Sequence, residues 1–334
     1  MRVIFGFVVG LLLTALSLEA AFQLLPVVSG LRLQSTSPAI PFNRYLPQLR
    51  YTYSFGWAMA NARRGATNLQ GFNNSPDFAD QARALVIGDS FIESLMLDYP
   101  QTVQGRLAEL SGAAVYAASA SGNGLADSLE IARYYAPRLH PRNIVLFVEE
   151  NDISGLLDQP GRGHSGFKLD DGSIRILHEP YHESDSKQLM LRSALFRYAY
   201  YNLKLRDWVS TTKRAAAGAP KSDDGASKAA VLDYYFAQLH ILGKNNDIRF
   251  IFLVDGDRNA VYAGKRQGPA WKGTGLPAFV ALARAQGFDV VDMQPEFQRH
   301  WAEFHERMDY MPMDGHWNSV AHELAARLLA QQLQ

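Results

Sequence analysis

The sequence contains no cysteine, which excludes disulfide bonds, thiolate metal sites and a cysteine nucleophile. It also has no excess of charge of either sign, because 33 basic side chains balance 33 acidic ones. Without a net positive field the chain has no general means of holding a polyanion, so nucleic acid is not an expected partner. With 47% apolar residues, its 334 residues suffice for a full-sized globular core.

Charge is also nearly absent from the N-terminal segment. Residues 3–18 carry no charge, and residues 20–28 continue the apolar stretch after Glu19. A helix over residues 1–28 can cross about 30 Å of hydrocarbon, whereas residues 3–18 alone suit a cleaved signal peptide. No small-x-small cleavage site ends the run, which favours a retained signal anchor over a signal peptide or a buried core helix. We therefore expect a single-pass protein of a bacterial inner membrane whose remaining chain is periplasmic.

The rest of the chain divides into two predicted parts. Residues 29–81 are rich in Pro, Asn, Tyr and Gly, and we expect a membrane-proximal segment packed on the following domain. In residues 82–334, short apolar runs alternate with amphipathic segments, a pattern typical of a parallel α/β sheet. Strands are predicted at 84–87, 114–117, 144–148, 249–254 and 289–291, and helices at about 98–111, 124–139, 230–245, 276–287 and 320–333. This alternation predicts a flavodoxin-like three-layer sandwich with a central parallel five-stranded sheet, preceded by the N-terminal hydrophobic helix.

An insertion interrupts the predicted sheet. About a hundred residues separate the third and fourth strands, far more than an ordinary crossover needs. We place the insertion at about residues 155–230 and interpret it as a lid or partner surface. Within it, residues 189–208 indicate an aromatic and Arg-rich helix, whereas residues 211–228 are typical of a flexible surface loop.

The strongest chemical signal follows the first predicted strand, where Ala84–Ile87 leads into Gly-Asp-Ser-Phe at residues 88–91. This order places the Ser90 hydroxyl at the carboxyl end of a strand, the edge where open α/β sheets bind ligands. A serine hydroxyl becomes a good nucleophile only when a base removes its proton, so a histidine is required elsewhere. Taken alone, Gly-Asp-Ser is also a common turn that caps a helix.

A second pattern, Asp-Gly-His-Trp at residues 314–317, precedes the last predicted helix. The Asp314 carboxylate can hold the Nδ1–H of His316 and leave Nε2 free as general base. A solvated loop with a helix cap is the alternative. A third interpretation is a metal site built from Asp314, His316 and His322, with His300 and His305 nearby. Their spacing does not place them on one helix face, so no metal is predicted.

The loops after the second and third predicted strands contain further candidate site residues. Residues 119–124 offer a backbone N–H at Gly122, and residues 150–152 offer the side-chain amide of Asn151. Acyl transfer needs donors aimed at the oxyanion that develops on the substrate. We therefore predict an oxyanion hole formed by Gly122, Asn151 and the backbone N–H of Ser90. Separately, each residue also suits a tight turn or a helix cap.

Together these pieces resemble the SGNH (GDSL-like) hydrolase superfamily, whose sequence blocks carry Ser, Gly, Asn and His. Ser90, Gly122, Asn151 and the Asp314–His316 pair match those blocks over about residues 82–333, outside the insertion. The resemblance implies a parallel five-stranded sheet, ester or acyl substrates, and catalysis without a metal or organic cofactor.

The sequence motifs differ from the commoner family pattern in three ways. Glu149 and Glu150 precede Asn151, where the family commonly has a glycine, and Phe91 replaces a leucine. The spacing Asp-x-His also replaces Asp-x-x-His. Asp-x-His-Trp is similar to the spelling in membrane-associated bacterial proteins that add or remove acetyl groups on exopolysaccharides.

The leading functional hypothesis is an anchored serine esterase that removes O-acyl, especially O-acetyl, groups from cell-envelope or exported glycans. Trp317, Asp255 and Arg258 are predicted to contact the substrate, with simple packing of the tryptophan as the alternative. An O-acetyltransferase with the same triad is the nearest rival. A non-catalytic glycan-binding or assembly subunit would instead show Ser90 and His316 too far apart to meet. The expected partners are an acylated carbohydrate or other small ester and the membrane, and a membrane-bound acyl-transfer partner stays open.

Overall fold

The computed structural model describes residues 1–78, 82–170, 172–205, 225–264 and 275–333. They form two compact units. The smaller unit contains Met1–Arg32, Leu49–Ala66 and the described part of Glu183–Ser222. The larger unit contains Leu33–Gln48 and the described parts of Thr67–His182 and Asp223–Gln334. Most of the loop predicted at 211–228 lies outside the described residues.

The strands and helices are numbered in chain order. The strands are β1 (Arg50–Phe55), β2 (Ala60–Ala66), β3 (Ala84–Gly88), β4 (Val115–Ser119), β5 (Asn143–Val148), β6 (Ser165–Asp170), β7 (Ser173–His178), β8 (Arg249–Val254), β9 (Asp289–Asp292), β10 (Asp309–Tyr310) and β11 (Asp314–Trp317). The helices are α1 (Arg2–Leu24), α2 (Ser90–Glu93), α3 (Val103–Ser111), α4 (Leu125–Leu139), α5 (Glu150–Ser154), α6 (Asp185–Met190), α7 (Ala194–Arg197), α8 (Gly225–Asn246), α9 (Arg258–Tyr262), α10 (Leu276–Ala285), α11 (Met293–Phe304) and α12 (Ser319–Gln332).

The larger unit is built on a parallel sheet with the strand order β4-β3-β5-β8-β9. Every residue of β3 is buried, because both faces of the sheet are covered. Leu85 and Ile87 belong to one core cluster, whereas Ala84 and Val86 belong to the other, as the alternation of side chains along a strand requires. Helices α4, α8 and α10 supply the first cluster, and α3, α11 and α12 supply the second. The predicted three-layer sandwich with five parallel strands is thus confirmed.

The element boundaries differ from prediction where local caps decide them. The helix predicted from residue 98 begins as a 3-10 turn, Tyr99–Gln101, and continues as α3 only from Val103. The reason is that the Thr102 hydroxyl accepts a hydrogen bond from the backbone N–H of Gly105 at 3.2 Å and so caps a new helix.

The insertion contains more strand and less helix than predicted. Its first part in the larger unit is the antiparallel hairpin β6–β7. The helix predicted over 189–208 is divided into α6, α7 and a π-helical turn, Tyr198–Asn202, and residues 206–208 lie outside the described residues. The division occurs because the Ser193 hydroxyl accepts from the backbone N–H of Phe196 at 3.1 Å and starts α7 anew.

The smaller unit includes the hydrophobic N-terminal helix predicted from the sequence. Helix α1 has 23 residues, a mean hydropathy of 2.2 in its most apolar window and no buried residue. It is long and apolar enough to cross a membrane, and an N-terminal signal sequence has the same properties. The unit also contains the antiparallel hairpin β1–β2, in a region from which no strand was predicted.

Candidate active site

The turn between β3 and α2 presents Ser90. A Cβ atom at Gly88 would lie 2.5 Å from Cγ1 of Ile92, so the chain can turn this closely only with a glycine there. The Asp89 side chain then accepts a hydrogen bond from the backbone N–H of Phe91 at 2.8 Å and caps α2. Ser90 consequently becomes the first residue of α2, at the carboxyl end of β3, as predicted.

The structure brings the predicted base and acid to this serine. Nε2 of His316 lies 2.8 Å from Oγ of Ser90, and Nδ1 of His316 lies 2.5 Å from Oδ1 of Asp314. One tautomer satisfies both contacts: Nδ1–H donates to the carboxylate, and Nε2 accepts the serine proton. Although 226 residues separate Ser90 from His316 in sequence, the three side chains form one hydrogen-bonded line.

The surroundings tune His316 toward base chemistry. Burial, the largest single cause, lowers the pKa of this imidazole, but the hydrogen bond and charge of Asp314 together with the charges of Asp89 and Glu93 outweigh it. The net result is a pKa raised above the ordinary value of a histidine. A raised pKa means that the imidazolium formed during proton transfer is stabilised where it forms.

The residues predicted to contact substrate instead hold the loop that carries the base. Trp317 is completely buried, and its Nε1–H donates to Oδ1 of Asp255 at 2.8 Å. Arg258 pairs with the same carboxylate and donates from Nη2 to the backbone oxygen of Gly315 at 2.9 Å. The prediction of substrate contact is therefore wrong for Trp317, which has no exposed surface, and Asp255 and Arg258 are engaged behind His316. Simple packing of the tryptophan, the alternative interpretation, describes its position.

The predicted oxyanion-hole residues line the same cavity as Ser90. This cavity has a volume of about 490 Å³, and Ser90, Gly122 and Asn151 all contribute to its wall. Gly122 has φ +87°, a backbone conformation that side-chain-bearing residues rarely adopt. The Asn151 side chain is exposed and donates one amide hydrogen to Oε1 of Glu149 at 2.7 Å, so its second amide hydrogen stays available to a ligand.

Glu149, the departure from the family pattern noted in the sequence, lies in the cavity wall beside this amide. Burial raises its pKa, and burial together with the charge of Glu149 raises the pKa of Asp89 to about 7. Burial likewise raises the pKa of Glu93 to about 7. Near neutrality Asp89 and Glu93 thus carry part of a proton each, which weakens their repulsion of a negative charge that develops next to Ser90.

A second histidine–carboxylate pair in the cavity wall was missed by sequence reasoning. Nδ1 of His164 lies 3.1 Å from Oδ2 of Asp127, and Nε2 lies 2.9 Å from Nδ2 of Asn43. A Cβ atom at Gly122 would lie 3.3 Å from Cε1 and Nε2 of His164, so the imidazole covers the predicted oxyanion loop. These residues come from an insertion hairpin and a distant helix, and no spacing in the sequence relates them.

His322, part of the metal interpretation, has a structural environment. It is fully buried, its Nδ1 accepts from the backbone N–H of Val103 at 3.0 Å, and its Nε2 lies 3.0 Å from the hydroxyl of Ser94. Burial lowers its pKa to about 3, so it stays neutral. Within the described ranges no three His, Asp or Glu side chains are grouped to hold a metal ion.

No family model and no curated protein matches the sequence. Solved structures do. A protein from Slackia heliotrinireducens described as an SGNH hydrolase is 15% identical, with a TM-score of 0.38, over 76% of this chain and 100% of that one. The acetyl xylan esterase AlAXEase is 11% identical, with a TM-score of 0.42, over 75% and 100%. A Corynascus thermopiles carbohydrate esterase family 2 enzyme with a carbohydrate binding domain is 14% identical, with a TM-score of 0.40, over 81% and 70%.

Proposed function

We propose that this chain is an SGNH-type serine esterase with Ser90 as nucleophile. The observation that carries the proposal is the line from Asp314 through His316 to Ser90, with contacts of 2.5 and 2.8 Å. The short distance between Ser90 and His316 is the opposite of the separation expected for a non-catalytic subunit. The cavity beside Ser90 supplies a place for an ester, and its wall includes Gly122 and Asn151, the residues predicted to supply the two further oxyanion donors.

The geometry supports an acyl-enzyme mechanism. Ser90 Oγ attacks the ester carbonyl while its proton passes to Nε2 of His316, and Asp314 stabilises the imidazolium. The backbone N–H groups of Ser90 and Gly122 and the amide of Asn151 stabilise the oxyanion. His316 then gives its proton to the leaving alcohol, and the C–O bond to the alcohol breaks. A water molecule, deprotonated by His316, attacks the acyl-serine and releases the carboxylic acid and free Ser90.

The proposed substrate is an O-acyl group, especially O-acetyl, on a cell-envelope or exported glycan, and the cavity is compatible with a small ester of this kind. Its volume of about 490 Å³ lies within the range of sites for small ligands. About half of the residues that line it are polar, and Asp158 and Gln159 stand in its wall alongside the predicted catalytic groups. A hydroxyl-rich alcohol such as a sugar can hydrogen-bond to these groups, whereas a long hydrocarbon chain cannot.

Helix α1 is proposed to stay on the protein as a single-pass anchor in a bacterial inner membrane, with the larger unit in the periplasm. Its last turns are tied to the smaller unit: Glu19 accepts three hydrogen bonds from residues 193–195, and Gln23 donates to the backbone oxygen of Arg192 at 3.2 Å. Cleavage of the chain after α1 would remove these contacts.

The test is ester hydrolysis by the purified full chain in detergent, with p-nitrophenyl acetate and acetylated xylan as substrates. Ser90→Ala and His316→Ala should each lower kcat by about 10⁴- to 10⁶-fold, because neither group works without the other. Ser173→Ala, in the exposed turn of β6–β7, and His178→Ala serve as matched controls and should keep wild-type rates.

A folded wild-type chain with no turnover above Ser90→Ala would contradict the esterase proposal. The same samples are then given an acyl donor and a deacetylated glycan. Acetyl transfer that requires Ser90 would identify the O-acetyltransferase, and absence of both reactions would leave the non-catalytic subunit.

A further inference from the structure

The smaller unit differs in charge from the chain to which it belongs. Its described residues carry nine basic side chains and three acidic ones, although the whole chain has 33 of each. The basic side chains outside α1 and its approach are Arg50, Arg63, Arg64, Lys187, Arg192, Arg197 and Lys204. The unit thus has a positive field, which attracts an anionic surface within about a Debye length.

The length of α1 sets the level at which its last turn leaves a bilayer. Its 23 residues extend about 34 Å at 1.5 Å per residue, slightly more than the roughly 30 Å of a hydrocarbon core. With Arg2 at one edge of the hydrocarbon core, Glu19 lies about 26 Å along the helix axis, just inside the opposite edge, and Leu24 lies about 33 Å along it, at the level of the lipid headgroups.

That turn is surrounded by the rest of the smaller unit. The Glu19 carboxylate accepts hydrogen bonds from the backbone N–H groups of Ala194 and Leu195, each at 2.9 Å, and from the Ser193 hydroxyl at 2.8 Å. The start of α7 is therefore fixed to α1 at this level. A carboxylate near a lipid boundary is stable here because its oxygens are fully hydrogen-bonded.

Aromatic residues extend the contact around the helix. Phe22 stacks on Tyr198 with ring centroids 4.3 Å apart, and the Tyr198 hydroxyl donates to the backbone oxygen of Trp57 at 2.8 Å. Trp57 lies in the turn between β1 and β2, and 75% of it is exposed. We call residues 56–59 and 185–205 the collar, because both segments contact or adjoin the end of α1.

The collar exposes large apolar side chains that nothing in the described chain covers. They are Trp57, Leu189, Met190, Tyr200, Leu203 and Leu205, with exposures from 38% to 75%. Tryptophan and tyrosine next to basic side chains are typical of the interface between water and lipid. Apolar side chains inserted among headgroups, flanked by Lys and Arg, bind most strongly to anionic lipids.

We propose that the collar docks on the anionic phospholipid surface of the bilayer that α1 crosses. The inference rests on the proposed retention of α1 as an anchor. Docking fixes the orientation of the smaller unit on the membrane, because it adds a second attachment to a helix that could otherwise turn about its axis.

The absence of native cysteine allows a direct test with single nitroxide labels on the full chain. Trp57→Cys and Leu203→Cys report on the collar, Leu12→Cys reports on α1, and Leu110→Cys, 51% exposed in α3, is the matched control. The protein is reconstituted in vesicles of phosphatidylethanolamine and phosphatidylglycerol or of phosphatidylcholine alone. Power saturation compares accessibility to oxygen with accessibility to a water-soluble nickel complex.

The expected result is an oxygen-to-nickel ratio at the two collar sites several-fold above that of Leu110→Cys in the anionic vesicles. The ratio should fall when Arg64→Glu and Lys204→Glu are added or when phosphatidylglycerol is omitted. Collar labels as open to nickel as Leu110→Cys in both lipids would overturn the inference, as would protection seen only in native membranes, which would indicate a protein partner. If Leu12→Cys is itself open to nickel, or the isolated chain lacks α1, the anchor proposal fails instead.

Discussion

The larger unit contains two histidine–carboxylate pairs that are alike at Nδ1 of the imidazole and differ in the group that Nε2 contacts. His316 and His164 each place Nδ1 on a carboxylate, at 2.5 Å from Asp314 and 3.1 Å from Asp127. Nε2 of His316 meets the hydroxyl of Ser90, whereas Nε2 of His164 meets the amide of Asn43. A carboxylate that orients an imidazole is therefore not a catalytic device by itself, because the group at Nε2 decides whether a proton has anywhere to go.

The two carboxylates also differ in what else they hold. Asp127 accepts from the backbone N–H groups of Ser165 at 2.7 Å and Gly124 at 3.1 Å, so it fastens the insertion hairpin to the start of α4. Asp314 accepts from the ring Nδ1–H and from the backbone N–H of His316, in its own strand β11. We expect His164 to act as a positioning residue, because its ring covers Gly122 in the predicted oxyanion loop.

The largest expected effect separates the two carboxylates. Asp314→Asn should lower kcat by about 10⁴-fold, because an amide no longer selects the tautomer with Nε2 free. Asp127→Asn should leave most of the rate and lower the melting temperature instead, since it breaks contacts that hold the hairpin. Steady-state kinetics and thermal unfolding should be measured for both variants. Equal losses of kcat in Asp314→Asn and Asp127→Asn would contradict the comparison.

The two variants should also differ in the pH dependence of kcat/KM. His316 works when neutral, so kcat/KM should rise with pH through a midpoint above 6.5, the raised pKa of this group. Asp314→Asn removes the main group that raises this pKa and should move the midpoint to lower pH, while Asp127→Asn should leave it in place.

An intermediate effect is expected at the loop between the two pairs. Gly122→Ala forces a side chain onto a backbone at φ +87° and brings Cβ to 3.3 Å from His164. The loop must shift, and its N–H leaves the oxyanion position, so kcat should fall by about 100- to 1,000-fold. Gly172→Ala, at φ +79° in open space, is the matched control for backbone strain alone. Equal rates for Gly122→Ala and wild type would remove Gly122 from the oxyanion hole.

The smallest effect should come from His164 itself. His164→Ala removes the ring that covers Gly122 and should lower kcat about tenfold, with KM and the midpoint of the pH profile unchanged. A boronic acid that forms a tetrahedral adduct on Ser90 should lose affinity by the same factor. The control is His178→Ala. It removes an imidazole at the end of β7 whose Nε2 lies 2.9 Å from the Thr36 hydroxyl oxygen. A shifted midpoint would mean that His164 takes part in proton transfer after all.

The sequence allowed a correct prediction of the sheet because buried parallel strands are continuous apolar runs. Every residue of Ala84–Gly88 and all of Arg249–Val254 except Arg249 are buried, so each apolar run is visible without knowledge of its neighbours. The Ser, Gly, Asn and His pieces could be found because each follows a strand or precedes a helix. Their grouping into an oxyanion hole and a triad with assigned roles stays a prediction, which the kinetics above test.

Other features depend on contacts that no local pattern encodes. Trp317 was predicted to contact the substrate, with simple packing as the alternative, but its indole is buried in the core and its Nε1–H donates to Asp255 at 2.8 Å. The pair of His164 and Asp127 joins an insertion to α4. The hairpin β1–β2 was missed because its strands are rich in polar and small residues, and only the first has buried positions.

The order of the predicted catalytic residues along the chain means that Ser90 is synthesised long before its base. Ser90 follows the first strand of the sheet to be synthesised, whereas His316 lies 226 residues later, beyond all five parallel strands. A chain still leaving the ribosome holds a serine without a base, and contacts so distant in sequence form slowly. Under the proposed mechanism a fluorophosphonate labels Ser90 only after the segment that carries His316 has folded against it, so labelling would report a late step in the folding of the larger unit.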